Sequence, residues 1–263
     1  MFVDSHLHLD FDDFAENREA VLARAEAAGV SAFLTISIRV RDFPRIRAIA
    51  ERYPNVWCTV GTLPHFADEE RDVTADEIIA LAAHPKVIGI GEAGLDTFYG
   101  NASWEAQIDV LRAHCDAARR TGLPLVIHSV RQDEAMAELL TQEHARGAFP
   151  ILMHAFSGGH DLAQAVLGLG GYISYGGLLT YNENTAQREI ARSVPLDRIL
   201  LETDAPSLAP EPHRDAPNEP AFLRHTSALL ARIKGVPEAE LALRSTENFY
   251  RLFSKASPPD PAG

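Results

Sequence analysis

Six side chains able to bind a metal ion lie at the ends of five short apolar segments in this sequence. Two histidines end the first segment, in "MFVDSHLHLD", and one residue ends each of four later segments: His6, His8, Glu92, His128, His154 and Asp204. Imidazole nitrogens and carboxylate oxygens are common protein ligands of divalent cations such as Zn²⁺ and Mn²⁺. A site of this composition is suited to metal-assisted hydrolysis, because bound cations lower the pKa of a water molecule.

Each of these residues also has an ordinary structural explanation when it is taken alone. A single histidine at the end of a strand is commonly a hydrogen-bonded or solvated residue, and Glu92 or Asp204 could cap the following helix. These ordinary explanations would have to hold separately at all six positions, whereas one metal site accounts for them together. The sequence therefore favours metal binding.

The composition of the set indicates two cations rather than one. Four imidazoles and two carboxylates exceed the needs of one tetrahedral ion. We predict that His6, His8 and Asp204 bind one ion, that His128 and His154 bind the other, and that Glu92 contacts both. Asp204 is the predicted general base, since a carboxylate beside the reactive water can accept its proton. Glu92 and Asp204 are thus the predicted catalytic residues.

Apolar segments of strand length alternate with segments of helical periodicity along the chain, which predicts parallel βα units. The eight predicted strands are 2–8, 31–37, 56–61, 87–92, 123–128, 149–154, 171–176 and 198–204. The first predicted helix buries Phe14, Ala20, Val21 and Ala28 and ends at Gly29, and the others are 41–53, 74–83, 102–121, 131–144, 160–168, 184–193 and 221–234.

Eight such units predict an α/β fold of the TIM-type (β/α)₈ barrel class, in which the carboxyl ends of all strands form one rim. A doubly wound open sheet is the alternative, but the glycine-rich turn that it favours after the first strand is not present in the sequence. We expect one domain over residues 1–256, with an extra C-terminal helix at 237–256 that packs outside the barrel. Residues 257–263 are rich in proline and are predicted to be a disordered tail.

The charge balance argues against a protein that grips nucleic acid through a broad basic surface. The chain has 24 Lys and Arg against 37 Asp and Glu, a net charge of −13. Surfaces that make many phosphate contacts need clustered Lys and Arg. An anionic substrate would have to be attracted locally, by metal ions or by a few arginines.

The sequence predicts a cytoplasmic enzyme that does not associate with membranes. Its first residues carry no basic segment of a signal peptide, and no apolar run is long enough to span a bilayer. Cys58 and Cys115 have neither the spacing of a CxxC motif nor a partner pattern typical of disulfide-rich domains.

Seven short segments resemble the TatD-related deoxyribonuclease family, which is among the amidohydrolase-like metal-dependent hydrolases. In order along the chain they are "FVDSHLHL", "GEAGLD", "LPLVIHS", "MHAFSGG", "GGYISYGGLLTY", "LLETDAP" and "NEP". The resemblance implies a TIM-type barrel, one or two divalent cations, and hydrolysis of DNA, typically as a 3′–5′ exonuclease on single strands. It implies metal-ligand roles for the same six residues, with Mg²⁺ or Mn²⁺ able to serve in catalysis; imidazole-rich sites themselves favour Zn²⁺ or Mn²⁺ over Mg²⁺.

Further residues are candidates for supporting roles around the metals. Glu202 lies two residues before Asp204 and is predicted to accept a hydrogen bond from a metal-bound imidazole. In the segment "GTLPH", His65 is retained from the family pattern and is a candidate contact to a phosphate oxygen, whereas Leu63 replaces an imidazole. Phe98, Tyr99 and Tyr181 are predicted to lie on rim loops, where a base could stack on them, although aromatic residues in such loops more commonly pack against neighbouring loops.

Two arginines are the candidate phosphate contacts, and each stands in a segment that departs from the family pattern. Val130 precedes Arg131 after "LPLVIHS", and in "HRDAPNEP" Arg214 is followed by Ala216 and Pro217 where the family usually has basic residues. Fewer cations beside the metals weaken binding to a phosphate backbone.

These departures keep two other functions open. One is a small-molecule hydrolase acting on amides, esters or phosphate esters, which the acidic surface favours. The other is a non-catalytic metal-binding barrel, against which the retention of Glu92 and Asp204 argues, since a purely structural site has no need of an open coordination position.

Overall fold

The computed structural model of the protein describes residues 1–100 and 102–258, and it contains an eight-stranded parallel sheet. The strands follow one another in chain order around the sheet. They are β1 (Phe2–Leu7), β2 (Val30–Thr35), β3 (Val56–Val60), β4 (Val87–Asp96), β5 (Leu125–Val130), β6 (Ile151–Met153), β7 (Tyr172–Tyr175) and β8 (Ile199–Leu201).

A helix follows each strand, as the sequence predicts, and a ninth helix comes last among the described residues. The helices are α1 (Arg18–Ala27), α2 (Phe43–Arg52), α3 (Ala75–Ala82), α4 (Trp104–Thr121), α5 (Asp133–Ala145), α6 (His160–Gly168), α7 (Thr185–Ser193), α8 (Leu223–Lys234) and α9 (Glu238–Leu252). This arrangement confirms the TIM-type barrel. In the described ranges, no helix has both the length and the apolar composition required to cross a bilayer.

Hydrogen bonds join the first strand, β1, to the last strand, β8, and to the residues that follow them. The amide of Asp204 donates to the carbonyl of His6 at 2.8 Å, and the amide of His8 donates to the carbonyl of Ala205 at 2.8 Å. The Ser5 hydroxyl donates to the Leu201 carbonyl at 2.9 Å. The first and last predicted metal-ligand segments therefore become neighbours although nearly 200 residues separate them.

Several predicted boundaries are wrong by three or four residues: β8 ends at Leu201 rather than at 204, and α9 ends at Leu252 rather than at 256. Two further boundaries are also wrong. Phe14 lies before α1, in a short 3₁₀ turn at Asp12–Phe14, where the amide of Ala15 bonds to the carbonyl of Asp12. Its side chain is buried all the same, which is why it fitted the helical pattern. Ala20, which was also predicted to be buried, is exposed. Strand β4 continues four residues past its predicted end, to Asp96.

The C-terminal helix α9 closes the amino-terminal end of the barrel, whereas we expected it to pack only outside. All eight strands contribute side chains to one interior cluster, and residues 249–256 complete it. Phe253 reaches Gly89 at the start of β4, where a Cβ atom would lie 3.1 Å from its ring. The predicted tail begins with exposed Ser257 and Pro258, and its residues 259–263 lie outside the described residues.

A buried histidine links α4 to the segment after β3 and makes stability dependent on pH. The ring of His114 donates from Nδ1 to the Val110 carbonyl at 2.8 Å and accepts from the Thr62 amide at Nε2, 3.0 Å away. Burial lowers the pKa of His114 to about 4, although the bond to Val110 opposes the change. Between this value and the unfolded pKa of about 6.5, only the unfolded chain binds the proton.

The free energy of unfolding is therefore expected to fall as the pH decreases from about 6.5 to about 4, by about 3 kcal/mol from this residue alone. Urea unfolding of the wild-type protein and a His114→Gln variant across this range measures the difference. The glutamine amide can still accept from Thr62 but does not titrate. Parallel stability curves for the two proteins would contradict the assignment.

Candidate metal centre

The six predicted ligands meet at the carboxyl ends of the strands. His6 is in β1 and His8 follows it, Glu92 is in β4, His128 is in β5, and His154 and Asp204 follow β6 and β8. Oε2 of Glu92 lies 3.3 Å from Nε2 of His6 and 2.9 Å from Nε2 of His154. Side chains from five segments of the chain thus converge around one buried carboxylate.

Within the described residues, four groups of three side chains bring possible ligand atoms together, and two of these groups share Glu92. One group is His6, His8 and Glu92, the other is Glu92, His128 and His154, and within each the ligand atoms lie within 4.8 Å of one another. Asp204 adjoins the first group, with Oδ1 3.2 Å from Nε2 of His8 and 3.5 Å from Nε2 of His6. The other two groups are His6, His154 and Glu202, and His65, Asp96 and His128, and they cut across this division. The assignment of the ligands to two ions therefore stays a prediction.

The donor set fits divalent cations. Nε2 of His6 and Oε2 of Glu92 are buried and form no hydrogen bond within the described residues. A buried polar atom without a partner is costly, and a bound cation would satisfy both. Two atoms that each bind the same ion at about 2.1 Å are about 3.0–3.5 Å from each other. The distances from Nε2 of His6, His8 and His154 to the nearest carboxylate oxygen are 3.3, 3.2 and 2.9 Å, which agree with this range within about 0.1 Å.

Two of the imidazoles are oriented by hydrogen-bond acceptors behind them. Nδ1 of His8 lies 3.2 Å from the Ile36 carbonyl, and Nε2 of His128 lies 2.8 Å from Asp96. Nδ1 of His154 lies 3.5 Å from Oε1 of Glu202, an ion-pair contact without a hydrogen bond. Burial lowers the pKa of His8 and His154, but the neighbouring carboxylates outweigh it, and they raise the pKa of His8 to about 9 and that of His154 well above its usual value. A bound cation would take the place of the proton on the nitrogen that is directed into the site.

The carboxylates of the site are ionised at neutral pH. Burial raises the pKa of Glu92, but the imidazoles of His154 and His6 outweigh it and hold the pKa well below its usual value. Burial opposes ionisation of Asp204 too, and its hydrogen bond with His8 and the other nearby imidazoles lower its pKa. Two ionised carboxylates among imidazoles suit a bound cation.

Glu202 lies behind His154, where the sequence predicts an acceptor for a ligand imidazole. Its Oε1 also accepts from the Ala155 amide at 2.7 Å, and the Ser174 hydroxyl donates to its Oε2. The residue is fully buried. These bonds fix the carboxylate of Glu202 with Oε1 3.5 Å from Nδ1 of His154, as an ion-pair contact without a hydrogen bond.

Asp96 is a site residue that sequence reasoning missed. Its Oδ2 lies 2.9 Å from Nε2 of His65 and 2.8 Å from Nε2 of His128. The even spacing from Glu92 to Asp96 in "GEAGLD" was the available signal, because alternate residues of a strand share a face. Because the predicted strand ended at Glu92, Asp96 was not placed on the same strand face.

An Asp96→Ala variant is expected to bind Mn²⁺ at the His128 side about 10- to 100-fold more weakly, since the ring of His128 loses the acceptor that orients it. Calorimetric titration with Mn²⁺ measures this. Asp68→Asn is the matched control, because Asp68 bonds Ser103 in a neighbouring loop and contacts no imidazole. Equal Mn²⁺ affinities in all three proteins would show that Asp96 does not position His128.

The donor atoms face a cavity of about 550 Å³ at the rim of the barrel. His65 and Arg131 line it, as do Phe98 and Tyr99, whose exposed fractions are 52% and 60%. The guanidinium of Arg131 lies 4.4 Å from the ring centre of Phe98. These four residues, which the sequence indicates as candidates to contact substrate, line the cavity and can contact a molecule bound in it.

Arg214 is placed differently from the prediction. Its guanidinium bonds both carboxylate oxygens of Glu183, at 2.5 and 3.1 Å, and lies 3.8 Å from the ring centre of Tyr181. It is not among the described residues that line the cavity. Tyr181 is itself buried, with its hydroxyl bonded to the Ala209 carbonyl at 3.1 Å, so it offers no stacking face to a base.

Known proteins share both this sequence and this fold. The model of the family described as TatD related DNase matches residues 3–254. The chain is 31% identical to the metal-dependent hydrolase YabD of Bacillus subtilis (96% of this chain, 99% of YabD) and 34% identical to the metal-dependent hydrolase YcfH of Escherichia coli (95% of each). The crystal structure of YjjV, a TatD homologue from Escherichia coli, superimposes with a TM-score of 0.90 at 32% identity over 98% of both chains.

Proposed function

The chain belongs to the TatD-related DNase family of metal-dependent hydrolases, and from this premise we propose that it is a deoxyribonuclease that removes nucleotides from the 3′ ends of single-stranded DNA. The observation that supports the proposal most is the convergence of six ligands around Glu92, in two groups, beneath an open cavity. Two adjacent cation sites are the usual arrangement for cleaving phosphodiesters.

The residues present would hold two divalent cations, Mg²⁺, Mn²⁺ or Zn²⁺. His6, His8 and Asp204 would hold one and His128 and His154 the other, with Glu92 contacting both. When bound, the cations supply a water of lowered pKa and stabilise charge on the phosphoryl oxygens.

The chain's own side chains orient the substrate and move the proton. The ionised carboxylate of Asp204 accepts the proton of the attacking water. His65, held by Asp96 at the cavity wall, contacts a phosphate oxygen. The guanidinium of Arg131 contributes a positive charge at the rim.

End-labelled single-stranded DNA incubated with each of Mg²⁺, Mn²⁺ and Zn²⁺ tests the proposal. The expected products are strands shortened one nucleotide at a time from the 3′ end, and EDTA should abolish them. An absence of shortened strands with all three metals would refute deoxyribonuclease activity.

The lining of the cavity favours a second candidate, a hydrolase of small amides, esters or phosphate esters. Much of the wall is apolar, formed by Phe11, Leu63, Phe66, Leu178 and Leu208. Apolar walls with few polar groups are typical of small-molecule sites. Metal-dependent cleavage of bis(p-nitrophenyl) phosphate or p-nitrophenyl acetate, without cleavage of DNA, would support this candidate over the first.

A further inference from the structure

Three arginines that do not line the cavity are each paired with a carboxylate. Arg39, which packs over the lining residue Phe66, is paired with Glu69 at 3.0 Å. Arg45 is paired with Asp12 at 2.7 Å, and Arg214 with Glu183 at 2.5 Å. A paired arginine adds no net positive charge to the rim. A long polyanion that crossed these positions would meet the carboxylates as well as the guanidinium groups.

Arg131 differs from these three. It lines the cavity, and its guanidinium packs over Phe98. Among residues 1–100 and 102–258 it forms no ion pair within 4.0 Å. The rim therefore offers an incoming anion one unpaired guanidinium, three residues beyond His128.

The size of the cavity agrees with a single point of phosphate contact. Its volume of about 550 Å³ falls within the roughly 300–1,000 Å³ of pockets that enclose one small molecule. Proteins that track along single strands instead use an extended basic groove with successive stacking side chains. Among the described residues that line this cavity, the exposed aromatic rings are two adjacent ones, Phe98 and Tyr99.

We propose that the enzyme recognises only the end of its substrate: one terminal nucleotide, whose base packs on Tyr99, and one phosphate next to the scissile bond, bound by Arg131. Short oligonucleotides are then full substrates, and added length contributes nothing to catalysis. This inference rests on the proposed deoxyribonuclease function. It adds a substrate class, short phosphodiesters, which the acidic surface with a net charge of −13 also favours.

The inference is tested by comparing kcat/KM for three thymidine dinucleotides with kcat/KM for a strand of sixteen nucleotides. The dinucleotides carry no terminal phosphate, a 5′ phosphate or a 3′ phosphate. The dinucleotide itself contains only the scissile phosphate, so a terminal phosphate restores the group that Arg131 binds. We expect one of the two terminal phosphates to raise kcat/KM about ten-fold. The long strand should then exceed that phosphorylated dinucleotide by less than five-fold.

An Arg131→Gln variant assigns the effect to this residue. In it, the ten-fold advantage of the terminal phosphate is expected to disappear, mainly through a higher KM. Arg71→Gln is the matched control: it removes the same charge from a guanidinium that is paired with Asp109 at 2.5 Å, and it should retain the advantage.

The outcomes separate this inference from the function on which it rests. If the long strand is better by more than five-fold, or if the advantage persists in Arg131→Gln, recognition of the end alone is wrong while the deoxyribonuclease function stands. If even the long strand is not cleaved with Mg²⁺, Mn²⁺ or Zn²⁺, the proposed function itself fails.

Discussion

An Asp204→Asn variant is expected to retain the fold and to lose about 10²- to 10⁴-fold of kcat on single-stranded DNA, the usual contribution of a general base. The amide of asparagine cannot accept the proton of the attacking water. Asparagine is the appropriate replacement because Asp204 has a φ of 61°, and asparagine tolerates this left-handed conformation far better than alanine. Steady-state kinetics with saturating Mn²⁺ measures the loss.

Asp197→Asn is the matched control for this experiment. Asp197 is exposed in the turn before β8 and does not line the cavity, so its variant should retain full activity. Retention of more than a tenth of the wild-type kcat by Asp204→Asn, with an unchanged far-ultraviolet spectrum, would contradict the role of Asp204 as base.

A Glu92→Gln variant is expected to show the largest change in metal binding. The carboxylate of Glu92 belongs to both ligand groups, so neutralising it weakens both sites at once. We expect the number of Mn²⁺ ions bound at micromolar concentration to fall from two to one or none. Since ligands that bind only the folded state raise its stability, the thermal stabilisation by Mn²⁺ should shrink as well.

Glu240→Gln, on the exposed face of α9, provides the control for the change of charge. Metal titration and thermal unfolding with and without Mn²⁺ are compared in the three proteins. If Glu92→Gln binds two ions with wild-type affinity, Glu92 does not join the two sites.

The barrel was predictable because its strands are buried on both faces, and such strands appear as continuous apolar runs. The predicted starts of all eight strands lie within two residues of the observed ones. Strand β4 was harder, since glycines interrupt its apolar run. Gly94 is required there by packing: a Cβ atom would lie 1.7 Å from the carbonyl oxygen of His128.

The contacts beyond the strand ends were less predictable. Repeated ligand-type residues at strand ends indicated the metal centre, because the barrel brings those ends together. The partner of Arg214 depends on two loops: Glu183 precedes it by 31 residues, and nothing in the spacing indicates that they pair. Asp96 required the correct end of β4, which the pattern of glycines obscured.

The anomalous diffraction of a crystal soaked in MnCl₂ tests the central claim most directly. We predict two manganese peaks about 3.5–4 Å apart, one bound by His6, His8 and Asp204, the other by His128 and His154, with Glu92 contacting both. Density absent from these six residues, or a single peak held by His65, Asp96 and His128, would contradict the assignment of the metal centre.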